Sequence, residues 1–129
     1  MDWRGKRLGD AELEIMQAMW EASRPVTANF ILEQIQGRRK WRLSTLMTSL
    51  ARLADKGYVS CDRTYRNNLY TPLVAEEAYK AQEGKSFLEK LYGSSLKGMV
   101  ASLYDGKVVG DEELNELRRY LDSYKKEEG

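Results

Sequence analysis

The sequence predicts a mainly α-helical chain with one small β-hairpin, on three observations. Apolar residues recur at helical spacing up to residue 56, two strand-favouring segments follow between residues 58 and 73, and helical spacing then resumes. The 129 residues are 42% hydrophobic and 32% charged, enough to bury a core in one compact domain or a small domain with an appendage.

The first helix is expected from Asp10 as N-cap, with Glu12 and Glu14 placed for the helix dipole. Leu13, Met16 and Trp20 form its stripe, and Ser23-Arg24-Pro25 ends it. Pro25-Val26 reads as a short extended link. Thr27 caps a second helix carrying Phe30, Ile31 and Ile35, with Gly37 as its stop. After the basic connector Arg38-Arg39-Lys40-Trp41-Arg42-Leu43, Ser44 is the expected cap of a third helix that runs to Lys56 and ends on Gly57. Tyr58–Asp62 and Leu69–Leu73 read as strands around a turn at Tyr65-Arg66-Asn67-Asn68, with Pro72 marking an edge near the end of the second. Three helices followed by a hairpin are the order of a winged helix-turn-helix, expected over residues 1–73.

Residues 74–129 read as a helical dimerisation region of three further helices. The first spans Val74 to Tyr92, the second carries Leu96, Met99, Val100 and Leu103 up to Asp105-Gly106, and the third starts at Asp111 with Leu114, Leu117, Leu121 and Tyr124 on one stripe. So short a segment does not easily build its own core, and packing against a second copy is the economical solution.

Composition excludes several classes of chemistry. The chain has no histidine, which removes His-based triads and His-containing metal sites, and its single Cys61 removes disulfide frameworks and zinc ribbons. No Walker or GxGxxG spacing occurs, and Glu112, Glu113 and Glu116 are explained by the first turn of a helix. Cys61 reads as a small strand hydrophobe, and Trp3 falls in an N-terminal tail with no legible role. No apolar run is long enough to span a membrane, and basic residues near the N-terminus are not followed by a signal-like apolar stretch. The expectation is a cytoplasmic non-enzyme without cofactor, metal or membrane association.

The net charge of +1 conceals a contrast. Residues 38–66 hold eight basic residues against two acids, whereas residues 111–129 hold seven acids against four bases. A basic middle segment is suited to a polyanion. On the third helix, Leu46, Leu50 and Leu53 share one side with Leu43, Met47 and Ala54 at its margin, while Thr45, Thr48, Ser49, Arg52 and Lys56 fall opposite. Short hydroxyl side chains allow close approach to a major groove, and an arginine can fork onto a guanine. Arg39, Lys40 and Arg42 before this helix, and Arg63 and Arg66 in the hairpin, are expected to meet phosphate. Trp41 reads as a core plug or hairpin contact rather than a stacking platform.

Leu8-Gly9-Asp10-Ala11-Glu12-Leu13-Glu14-Ile15-Met16 with Met19-Trp20 resembles the opening of the penicillinase-repressor family (BlaI/MecI/CopY type). So do Trp41 leading into Ser44-Thr45-Leu46, Leu50-Ala51-Arg52-Leu53, Lys56-Gly57-Tyr58, Tyr70-Thr71-Pro72-Leu73-Val74 and Ser86-Phe87-Leu88. The resemblance implies a homodimeric transcriptional repressor on a palindromic operator in double-stranded DNA. Thr45, Thr48 and Arg52 match the family's recognition helix, whereas Ser44 and Met47 stand where β-lactam-type members carry basic residues; all five are assigned to the DNA interface. Dimerisation is expected through Leu88, Leu91, Leu96, Met99, Val100, Leu103, Leu114, Leu117 and Leu121. In the β-lactam branch a sensor-protease pathway cuts the repressor in its dimerisation region, and the corresponding bond here is Ser102-Leu103. The cysteine cluster of the copper-responsive branch is missing from Tyr124–Gly129. The rival readings are a MarR-like ligand-responsive regulator, with Tyr79, Phe87 and Tyr92 near a cavity, and a winged helix devoted to protein interaction.

Overall fold

A computed structural model describes residues 3–64 and 66–128, the last three of these by backbone alone. Tyr65, expected in the hairpin turn, lies outside the described residues. The order is a 3₁₀ turn (Trp3–Gly5), α1 (Asp10–Ala22), α2 (Ala28–Ile35), α3 (Leu43–Asp55), β1 (Val59–Asp62), β2 (Leu69–Pro72), α4 (Glu76–Tyr92), α5 (Leu96–Asp105) and α6 (Asp111–Glu128). The chain forms two compact units that divide between Glu83 and Gly84, within α4.

The helix boundaries follow from where the orphan backbone groups find partners. Gly9, not Asp10, caps α1: its N–H donates to Glu12 Oε1 at 3.0 Å, which leaves Asp10 in the first turn, where its charge still faces the dipole. Ser23 ends α1 in the left-handed region at φ 56°. Thr27 caps α2 as expected, its Oγ1 accepting from the Phe30 N–H at 3.2 Å. Gly37 does not end α2 as a left-handed glycine. The turn closes instead because the N–H groups of Arg38 and Arg39 donate to the Ile35 carbonyl, at 3.0 and 2.9 Å.

Arg42 is the N-cap of α3, with extended backbone and a carbonyl that accepts from Thr45 and Leu46, so Ser44 lies inside the first turn rather than capping it. The end of α3 is a Schellman turn. Gly57 takes φ 87°, its N–H donates to Ala54 O at 3.0 Å, and the Tyr58 N–H donates to Leu53 O at 2.9 Å.

β1 and β2 pair antiparallel with Val59 opposite Pro72 and Asp62 opposite Leu69. Val26 is more than a link: it exchanges two backbone hydrogen bonds with Tyr70, at 3.0 and 2.7 Å. At Tyr70, β2 is therefore flanked on both sides, and Pro72, which has no N–H to donate, sits beyond that bridge at the end of the strand.

The core of the first unit joins Ile15, Met16 and Met19 of α1 to Ile31 of α2, Leu46, Leu50 and Leu53 of α3, and Tyr58 and Val59 of the hairpin. Val74 and Tyr79 are buried in it too, and the Trp20 indole N–H donates to the Val74 carbonyl at 2.9 Å. These contacts carry the unit past the boundary expected at residue 73. Trp3 has a role after all: its ring lies 5.8 Å from that of Tyr58 and 6.1 Å from that of Tyr79. Cys61 is half-buried against the core, unpaired.

The second unit contains the end of α4 with α5 and α6. Ser95 caps α5, accepting from the Gly98 N–H at 2.9 Å, and the Gly110 N–H donates to Glu113 at the start of α6. The turn after α5 is closed by Lys107 at φ 59°, not by the adjacent Gly106. No described residue of this unit is buried.

Burial, and after it repulsion from the negative charge of Tyr79, Glu83 and Glu12, pushes the Tyr58 hydroxyl up to about 12, while its O–H donates to the Lys6 carbonyl at 2.6 Å. An unfolded tyrosine ionises near 10, so between pH 10 and about 12 the unfolded chain releases a proton that the folded chain keeps. The stability contributed by this hydroxyl is accordingly complete below pH 10 and falls as pH rises through this window. Urea titrations from pH 9 to 11.5 should show that fall, with a shallower slope in Tyr58→Phe and a loss of about 1 kcal/mol at neutral pH from the missing hydrogen bond.

Candidate nucleic-acid interface

Burial of Leu46, Leu50 and Leu53 sets the rotation of α3 about its axis. At 100° per residue, Ser44, Thr48 and Arg52 then point away from the core, with Thr45 toward one flank and Leu43 and Met47 on the other. All six are exposed. Thr48 turns its hydroxyl back to the Ser44 carbonyl at 3.1 Å, which leaves its methyl and an oxygen lone pair outward. Asp55 is the single acid of the helix, in its last turn. This face admits close approach and offers hydroxyls and one guanidinium.

The basic residues expected at the DNA interface fall into two groups. Lys40, Arg42, Arg52, Arg63 and Arg66 are exposed and, among the described residues, have no carboxylate within ion-pairing distance. Arg39 and Lys56 are differently placed. The Arg39 guanidinium is paired with Glu14 of α1 and lies 5.8 Å over the Trp41 ring. Lys56 donates to both oxygens of Glu12, at 2.8 and 3.0 Å, and to the Arg7 carbonyl. Both pairs are partly screened from water, and they tie the two ends of the connector–α3 segment to α1. At the hairpin turn, the Thr64 side chain and its N–H, the latter at 2.9 Å from Oδ1, hydrogen-bond Asp62, which holds that carboxyl below its ordinary value and folds Arg63 into an exposed turn.

A groove of about 240 Å³ opens between the starts of α2 and α3 and the hairpin, lined by Thr27, Asn29, Leu43, Met47, Arg66 and Asn67 among others. It brings Met47 and Arg66 together, residues far apart in sequence. Leu43 and Met47 are 41% and 37% exposed, so the margin expected to be buried is open. Thr27 and Asn29 were not anticipated here; the signal was Thr27 itself, since a capped helix start directs free N–H groups at whatever lies before it.

In the second unit, Leu91, Leu96, Leu117 and Leu121 are between 43% and 63% exposed, and Leu88, Met99, Val100, Leu103 and Leu114 are only half-buried. Phe87, Tyr104, Val108, Tyr120 and Tyr124 add exposed apolar surface that the expected dimer set omitted. Tyr79 is core of the first unit while Phe87 is not core at all. Ser102 is exposed, its Oγ 3.4 Å from the Tyr92 hydroxyl.

The family model for the penicillinase repressors matches residues 8–123. The chain belongs to the penicillinase-repressor family. The penicillinase repressor of Bacillus licheniformis is 31% identical over 119 residues, 92% of each chain. The methicillin resistance regulatory protein MecI of Staphylococcus aureus (strain N315) is 29% identical over 121 residues, 94% of this chain and 98% of that one. Among solved structures, the DNA-binding domain of the repressor BlaI is 32% identical, with a TM-score of 0.50 over 57% of this chain and 88% of that one. The winged-helix assignment of the first unit stands on this match, and the family is one of repressors, not enzymes. Among the described residues no helix is long and apolar enough to cross a membrane.

The division of the cations has a measurable consequence. Lys56→Ala, which leaves the half-buried Glu12 charge with only the Gly9 N–H, should lower unfolding free energy by about 1–2 kcal/mol in urea titrations. Arg52→Ala should stay within about 0.5 kcal/mol of the parent chain.

Proposed function

We propose that this chain is a transcriptional repressor that binds a palindromic operator in double-stranded DNA as a homodimer. The observation that carries the reading is the outward face of α3, where Ser44, Thr45, Thr48 and Arg52 stand clear of the core beside Lys40, Arg42, Arg63 and Arg66, cations with no ion-pair partner among the described residues. Thr45, Thr48 and Arg52 meet base edges in the major groove, Arg52 by the two-pronged contact that suits guanine. Lys40, Arg42, Arg63 and Arg66 meet phosphates and supply most of the affinity, which makes binding steeply salt-dependent. Arg39, expected at phosphate, and Lys56, expected on the DNA-facing side of α3, act instead by holding the connector and α3 against α1.

Dimerisation uses the second unit. Apolar side chains on α4, α5 and α6 with no core of their own favour a second copy as their cover. Two linked recognition helices about one DNA turn apart select a dyad site, and each half-site contact raises the effective concentration of the other. The repressor acts in the cytoplasm by occupying its operator. Release needs only the dimer to fail, and the Ser102–Leu103 bond is where a sensor-protease pathway would act. The Ser102 carbonyl accepts from Gly106 and the Leu103 carbonyl from Val108, at 3.0 and 2.9 Å, so cutting requires the end of α5 to open first. It separates Met99 and Val100 from Leu103 and α6.

Fluorescence anisotropy on the promoter beside the gene tests the reading. Arg52→Ala should lose about 1–3 kcal/mol of discrimination between operator and random duplex, whereas Arg42→Ala should weaken both alike and flatten the salt slope. Leu117→Asp combined with Leu121→Asp should sediment as a folded monomer and lose operator affinity by at least tenfold. A parent chain that is monomeric at micromolar concentration, or whose binding has no salt slope, defeats the proposal.

A further inference from the structure

Leu43 and Met47 are the anomaly of the recognition surface. They are adjacent in space, one helical turn apart on one flank of α3, and over a third of each is in water although the core beneath closes without them. Their surroundings are polar: Thr27 and Asn29 at the start of α2, Arg66 and Asn67 of the hairpin, and no carboxylate among the groove's lining residues. Met47 is also held in place, its sulfur 3.8 Å from the hydroxyl of Tyr70, a ring anchored in the core. An apolar floor with cationic and amide walls fits a ligand that is anionic and polar along its edge and presents a small apolar group at its centre.

Duplex DNA has one such group in the major groove, the C5-methyl of thymine. We infer that Leu43 and Met47 read thymine methyl groups on the hairpin-facing side of α3, and so set an A·T preference at one or two positions of each half-site. A protein partner seated in the same groove would have to strip water from Arg66 without an acid of this chain nearby to compensate. The inference rests on the operator-binding reading above and deepens it: the hydroxyl and guanidinium groups select one part of the half-site, and the apolar pair selects another.

The test uses the full chain and a duplex it selects from a random pool. Each thymine of the selected half-site is replaced singly by deoxyuridine, which removes the methyl and leaves every hydrogen-bonding edge intact. At one or two positions the parent chain should bind the uracil duplex about three- to fivefold more weakly, the effect expected for losing burial of one methyl. Met47→Ala and Leu43→Ala should each bind thymine and uracil duplexes nearly equally at one of those positions, with unchanged melting temperature because neither side chain is core. The proposal is overturned if the parent chain ignores every uracil replacement. It is equally overturned if both variants keep the full discrimination, which is also the outcome expected if the groove serves a protein. Failure to enrich any dyad sequence appears earlier, in the selection itself, and defeats the operator reading together with this one.

Discussion

Three leucines on α3 are the constraint from which the rest of the first unit follows. Leu46, Leu50 and Leu53 are between 0% and 1% exposed, each contributing about 2–3 kcal/mol by burial. Their common direction leaves α3 one rotation about its axis, and that rotation alone decides which residues of Leu43–Asp55 face outward. The polar face is therefore a by-product of core packing. Its orientation is set by the buried leucines rather than by its own polar contacts, of which the Thr48 hydroxyl to the Ser44 carbonyl is one.

Fixing the rotation does not fix the tilt or the ends of the helix, and here the rest of the unit acts. The Schellman turn at Gly57 swings the chain directly into Tyr58, whose ring packs against Trp3 and Tyr79 and whose hydroxyl is tied to Lys6. Lys56 with Glu12 holds one end of α3, and Arg39 with Glu14 holds the connector before the other. The hairpin is fastened by Val26, so the groove beside Met47 has walls on three elements at once. A surface assembled in this way is preorganised, so the proposed contact with DNA need not order it.

The second unit obeys the opposite rule. It has good local structure, with Ser95 capping α5 and Glu113 at the start of α6, yet none of its described residues is buried. Local hydrogen bonds can specify helices, but most helical stability comes from covering an apolar face, and α5, with 10 residues, is marginal without it. The first unit thus packs on itself, whereas the described apolar residues of the second are left open, which is what the proposed dimer would cover.

Much of this was legible in the residues alone. The periodicity of Leu46, Leu50 and Leu53, the cap at Thr27, the glycine stop at Gly57 and the strand signals around Tyr58 and Tyr70 are local, and local signals determine element type and order. The family resemblance rested in part on the same segments, those around Leu46, Leu50, Gly57 and Tyr70, and in part on the opening of the first helix. Sequence could not assign partners to the charges: Arg39 and Lys56 look like any other basic residues until α1 brings Glu14 and Glu12 to them. Nor could it place Trp3, which has no local pattern and takes its position from rings 55 and 76 residues further on, at Tyr58 and Tyr79. The openness of Leu43 and Met47 is of the same kind, since a marginal position on a helix is buried or exposed according to where the neighbouring hairpin stands. Element type and order came from spacing along the chain; charge pairing, ring stacking and the shape of the groove came from separations that only the folded chain makes short.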